Sequence, residues 1–250
     1  MLALHFAPHP DDELIGAPAT LMALRDAGWR IVNVACGLGR PEQQARRQGE
    51  LREACRLAGF ELKLPPKPVS LSGDCDPVAA RRELTELAVD CIGELEPRIV
   101  VSPGPGDRHH GHRLVAEAVR DAIAAKKAEA PRWWMWALWG ALPQPTLGTR
   151  FDGARLDEIL TALAAHRGEL ERNDYRRLVR ARAEMTASLA AELLFGFGAT
   201  APAGIEYAEL LGEVARVDDR WLLGRPRWLD PAEPLCDPSE IGASARGSRE

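Results

Sequence analysis

The stretch Leu2-Ala3-Leu4-His5-Phe6-Ala7-Pro8-His9-Pro10-Asp11-Asp12-Glu13 decides how this 250-residue chain is read. Leu2 to Ala7 is apolar except for His5, which suits one buried strand, and the prolines that follow cannot continue a ladder. His9, Asp11 and Asp12 therefore stand where a first strand ends. Unpaired charges in a core cost several kcal/mol each, so the cluster needs a partner, and a divalent metal is the simplest. A second cluster, Asp107-Arg108-His109-His110-Gly111-His112, follows another apolar run. Together the two predict one metal site closed by the fold.

Working outward, strand and helix signals alternate through the first 130 residues. Helices are expected over 18–27, 43–58, 79–95 and 114–127, and strands over 29–35, 60–64 (an edge, given the prolines after it), 98–101 and 133–138. Such alternation implies an α/β, Rossmann-like three-layer fold with a mostly parallel sheet, and both clusters then lie at carboxyl ends of strands. Farther on, 157–171 and 176–194 read as helices, the second as a solvated face or an oligomer contact. The expected organisation is a single domain over 1–232 with a flexible tail over 233–250, rich in Pro, Ser, Gly and Arg.

A formal net charge of -5 argues against a nucleic-acid or membrane-surface binder, because no basic excess offsets phosphates. A small neutral or mixed-polarity substrate fits better. The five cysteines are odd in number and form no Cys-x-x-Cys, so neither a disulfide framework nor a zinc ribbon is indicated. With no signal-peptide pattern and no stretch of 18 apolar residues, the expected compartment is cytoplasmic, with thiols reduced.

His9 and Asp12 can turn to one point, and His112, across the sheet crevice, is the natural third ligand. A His/Asp/His set with open positions suits Zn²⁺, or Fe²⁺. Asp11, unligated beside them, is placed to act as general base. His109 is placed to polarise a carbonyl or protonate a leaving amine. His110 reads as a loop histidine rather than a fourth donor, and His5 as a satisfied sheet residue. Most of the tryptophans in the run from Trp133 to Trp139 read as core.

At this point the chain resembles the LmbE-like or PIG-L-like metal-dependent de-N-acetylases, over roughly residues 3 to 210. Their motif Ala-His-Pro-Asp-Asp-Glu stands here as Pro8-His9-Pro10-Asp11-Asp12-Glu13, and their His-Pro-Asp-His as His109-His110-Gly111-His112. The resemblance implies His9, Asp12 and His112 as zinc ligands, Asp11 as general base, and His109 as aid to the oxyanion or leaving group. It also implies Glu13 behind the ligands, orienting them or capping the next helix. Glycine at 111 departs from the family's aspartate, which orients the first histidine, and leaves Asp107 or His110 to substitute. Arg47, in a helix matching Arg-x-x-Glu-x-x-x-Ala, and His166, where relatives carry His-x-x-Gln, become expected substrate contacts.

The resemblance implies removal of an acetyl group from an amino sugar such as an N-acetylglucosamine conjugate. Cleavage of an amide in a thiol conjugate or secondary metabolite is the alternative. A metal- or sugar-binding relative without turnover is the third reading.

Overall fold

The computed structural model describes residues 1–126 and 129–235. In chain order, β1 (Leu2–Ala7) leads into the single turn α1 (Asp12–Ile15) and then α2 (Pro18–Asp26). β2 (Arg30–Ala35) precedes α3 (Gln44–Ala58), β3 (Glu61–Lys63) precedes α4 (Pro77–Leu95), and β4 (Ile99–Pro103) precedes α5 (His110–Ala125). β5 (Arg132–Trp136) and β6 (Leu147–Phe151) are followed by α6 (Gly153–Leu163), α7 (Arg167–Arg172) and α8 (Tyr175–Phe195). β7 (Tyr207–Val217), β8 (Arg220–Leu223) and β9 (Arg227–Trp228) end the described chain.

The strands form one sheet in the order β3-β2-β1-β4-β5-β7-β6-β9, with β8 beside β7. β3, β2, β1, β4 and β5 run parallel. β7 runs antiparallel to β5, β6 and β8. The fold is thus α/β with a mostly parallel half, as expected, and a mixed half that the hydrophobic pattern does not announce.

β1 is buried along its whole length because helices cover both sheet faces. Leu2, Leu4 and Phe6 pack toward α4 and α5, whereas Ala3 joins the layer of α2, α3 and α6. α3 ends where Gly59, at φ 70°, closes the last turn by donating to Cys55 and Arg56 carbonyls. β1 has β2 on one side and β4 on the other, so the order reverses between β1 and β4. The crevice beyond their carboxyl ends receives both clusters.

Three expectations need correction. α5 begins at His110 rather than 114, so Gly111 and His112 lie in its first turn and His109 is its cap. The helix expected over 157–171 is two helices, α6 and α7, broken at 164–166; the Glu50 carboxylate accepts from Gly168 N at 3.2 Å, and this tertiary cap overrides the local helical pattern. β6 to β9 lie beyond the expected strands, and β7 carries a half-buried Glu209 and a buried Glu213 where a strand signature calls for apolar residues. There Glu209 accepts from Ala19 N and Thr20 N, and Glu213 from Trp134 Nε1.

The expected tail lies outside the described residues from 236 onward, as does the expected helix end at 127. Among the described residues no helix is long and apolar enough to cross a membrane.

Candidate active site

The loop after β1 is fixed at every backbone group around Asp11. Asp11 has φ 114° and ψ -27°, a left-handed conformation that a side chain disfavours by about 1–3 kcal/mol. Its carbonyl accepts from Leu14 N at 2.9 Å and Ile15 N at 3.0 Å, and its N–H donates to Glu13 Oε2 at 3.0 Å. The other Glu13 oxygen meets His166 Nε2. Asp12 turns inward, its Oδ2 accepting from His9 N at 2.8 Å.

Asp107 organises the loop after β4. Its Oδ1 accepts from His109 N at 2.8 Å, and its Oδ2 from Leu138 N and Trp139 N at 3.1 and 3.2 Å. The same Oδ2 lies 3.3 Å from His112 Nδ1, in ion-pair contact rather than an aligned hydrogen bond. Asp107 therefore orients His112 and the His109 backbone but not the His109 ring, whose buried Nδ1 has no hydrogen-bond partner among the described residues. His110 turns away toward Cys75 Sγ at 3.6 Å, so neither expected substitute orients the His109 ring.

The loops meet at Asp12. Its Oδ2 is 3.2 Å from His9 Nδ1 and its Oδ1 is 3.4 Å from His112 Nε2. The two contacts run to different oxygens of Asp12, so its carboxylate lies between the two imidazoles. His109 stands on the open side, its ring centre 4.8 Å from that of His9 and 4.7 Å from that of His112. One nitrogen from each of His9, His109 and His112 lies within 4.8 Å of the others. The donor set, buried at Asp12 and His112 and open at His9, fits a divalent metal.

Electrostatics agree with that fit. Burial opposes charge on His112, but the Asp12 and Asp107 carboxylates override it and push the imidazole up to about 10. Burial also opposes ionisation of Asp12 and Asp107, yet the imidazoles hold Asp12 far below the usual carboxylate range, and His112 and the His109 N–H hold Asp107 at about 2. Asp11 is raised well above that range by burial and by the neighbouring Asp12 and Glu13 carboxylates. His109 is pushed down to about 4 by burial and by the other two imidazoles.

Gly111 has a steric role. A Cβ there would sit 3.1 Å from both Cε1 and Nε2 of His9 and 3.2 Å from Leu71 Cβ, so the His9 ring occupies the room a side chain at 111 needs. Beneath the site, Trp136 packs edge-on to His112 at 5.2 Å and donates Nε1–H to His5 Nε2. His5 Nδ1 bonds Asn33, so His5 is the satisfied core histidine expected. Trp133 and Trp134 are likewise core, while Trp139, 42% exposed, borders the loop that Asp107 holds.

Arg47 is nearly buried, pairing with Glu169 Oε1 at 3.0 Å and reaching Pro10 O at 3.4 Å. His166, expected as a substrate contact, is fully buried behind Glu13 and meets its carboxylate. Sequence reading missed Arg182, whose guanidinium donates to Ile15 O and Ala137 O, each at 2.7 Å, and so ties the end of α1 to the segment after β5. It is one of many arginines on α8, and nothing in its sequence position distinguishes it.

A protein-family model described as PIG-L, GlcNAc-PI de-N-acetylase, matches residues 4–123. No curated protein matches the chain. Among solved structures, N,N'-diacetylchitobiose deacetylase from Pyrococcus horikoshii aligns with TM-score 0.62 and 17% identity, covering 85% of this chain and 83% of its own. The zinc-inhibited form of teicoplanin deacetylase Orf2 aligns with TM-score 0.64 and 16% identity, covering 88% and 100%. GalB, the 4-carboxy-2-hydroxymuconate hydratase of Pseudomonas putida KT2440, aligns with TM-score 0.64 and 17% identity, covering 85% and 95%. At these identities the likeness is one of fold.

Proposed function

Because a PIG-L family model matches residues 4–123, we propose that this protein is a metal-dependent hydrolase that removes an acetyl or other acyl group from the amide nitrogen of an amino sugar or its conjugate. The carrying observation is that buried Asp11 stands next in the chain to Asp12, whose carboxylate contacts the His9 and His112 imidazoles. The family description and the Pyrococcus deacetylase support the amino-sugar class.

His9, Asp12 and His112 would hold the metal, with zinc favoured by the donor chemistry. When bound, zinc supplies Lewis acidity toward water and the amide carbonyl. Asp11 accepts the proton of the attacking water, and its raised pKa makes it a stronger base than an ordinary carboxylate once ionised. His109 is neutral at pH 7, and a bound cation would keep it so. It therefore donates an N–H to the developing oxyanion, and the leaving amine takes its proton from Asp11. Asp107 keeps His112 turned inward.

Acetate release from N-acetylglucosamine conjugates and from N-acyl amides of other classes tests the reading. Metal-loaded protein should release acetate, and chelation should abolish it. Addition of water to an unsaturated acid without amide cleavage would favour the chemistry of the hydratase neighbour instead.

A further inference from the structure

We propose that His166 and Glu13 are positioning residues that hold Asp11 in its left-handed conformation and thereby aim its carboxylate. The inference rests on the proposed role of Asp11 as base. His166, Glu13 and Asp11 form a line, from the His166 Nε2 to one Glu13 oxygen and from the other Glu13 oxygen to the Asp11 N–H. The Asp11 carbonyl is already engaged by Leu14 N and Ile15 N, so the Glu13 contact fixes the one remaining backbone group. Without it, nothing on the N–H side resists rotation of φ from 114° toward the negative values that an aspartate prefers. Such a rotation would swing the carboxylate away from the metal donors.

Glu13 cannot hold that geometry alone. It is fully buried, and a carboxylate oxygen left without a donor there is strongly disfavoured. His166 supplies the donor. Its ring makes one protein hydrogen bond, to Glu13, and its Nδ1 has no partner among the described residues. The helix break at 164–166 places the ring. α7 opens at His166, with Leu170 N on its carbonyl at 3.0 Å, and α3 docks α7 through Glu50 to Gly168 N and Arg47 to Glu169. Arg47 and His166 thus belong to one bracket running from α3 through α7 to the base.

The test uses the full metal-loaded chain as wild type, Asp11→Asn, Glu13→Ala, His166→Ala and His166→Gln. The glutamine amide can reach the position of the imidazole Nε2. For acetate release, Glu13→Ala and His166→Ala should lower kcat about 10- to 100-fold with KM within about twofold and metal content unchanged, and His166→Gln should recover most of the loss. A crystal structure of Glu13→Ala should show Asp11 at negative φ. Wild-type kcat in folded His166→Ala, or Asp11 still near 114° without Glu13, overturns the inference. Loss of folded protein or metal that tracks the loss of kcat, with no rescue by His166→Gln, overturns it as well. If wild type and Asp11→Asn are equally inactive on every amide, the proposed function fails, and the Asp11 φ in Glu13→Ala still decides the positioning role.

Discussion

The loop after β1 and the loop after β4 each bring imidazole and carboxylate to the same crevice, but they are held in different ways. Around Asp11, N–H, carbonyl and the Glu13 partner are all engaged. In the second loop Asp107 binds His112 and three backbone N–H groups, while Nδ1 of the His109 ring has no hydrogen-bond partner among the described residues. The difference teaches that Asp11, the proposed base, is held by hydrogen bonds, whereas His109 is held by the rings packed around it. A catalytic group misplaced by an ångström can cost about 10²-fold in rate.

The largest effect expected from this contrast is at Asp11. Asp11→Asn should lower kcat about 10³- to 10⁴-fold with metal content unchanged, because only the proton acceptor is lost. His109→Ala should cost about 10²-fold in kcat, again with metal retained. An equal loss at both positions would mean that the two loops do not differ as described. Asp107→Asn removes the contact that orients His112 and should weaken metal affinity about 10- to 100-fold by titration calorimetry.

Proton linkage sharpens the same comparison. In metal-free protein His112 is raised from 6.5 to about 10, so its stabilising contribution is full below 6.5 and is lost as pH rises through about 10. Asp107, lowered to about 2, works the other way, stabilising above its unfolded pKa and losing that contribution as pH falls. A ligating imidazole must be neutral, so metal binding at pH 8 should release about one proton from His112, measurable by calorimetry in buffers of different ionisation enthalpy. Zero release would contradict the His112 assignment. The smallest effect is expected for Gly111→Ala, whose Cβ would press on His9 at 3.1 Å and weaken metal binding about threefold.

Much of this site is legible in the sequence because both clusters are local. Each follows an apolar run that can only be a buried strand, and the switch between β1 and β4 brings the two runs side by side. The His166 contact with Glu13 spans 153 residues and lies at a helix break made by the tertiary cap from Glu50, so no local pattern records it. β6 to β9 escape for a related reason. Half-buried Glu209 and buried Glu213 are both satisfied by partners from distant elements, and a periodicity reading cannot tell such an acid from a solvent-facing one. Gly111 stands out in the sequence as a departure from a motif, but only the structure shows the His9 ring filling its space.

The most direct test of the central claim is anomalous diffraction at the zinc edge from crystals of zinc-loaded protein. The account predicts one peak about 2.1 Å from His9, Asp12 and His112 donors, with the His109 ring and the Asp11 carboxylate near it but unligated. A peak held by the three imidazoles of His9, His109 and His112 without Asp12, or no peak between the two loops, would contradict it.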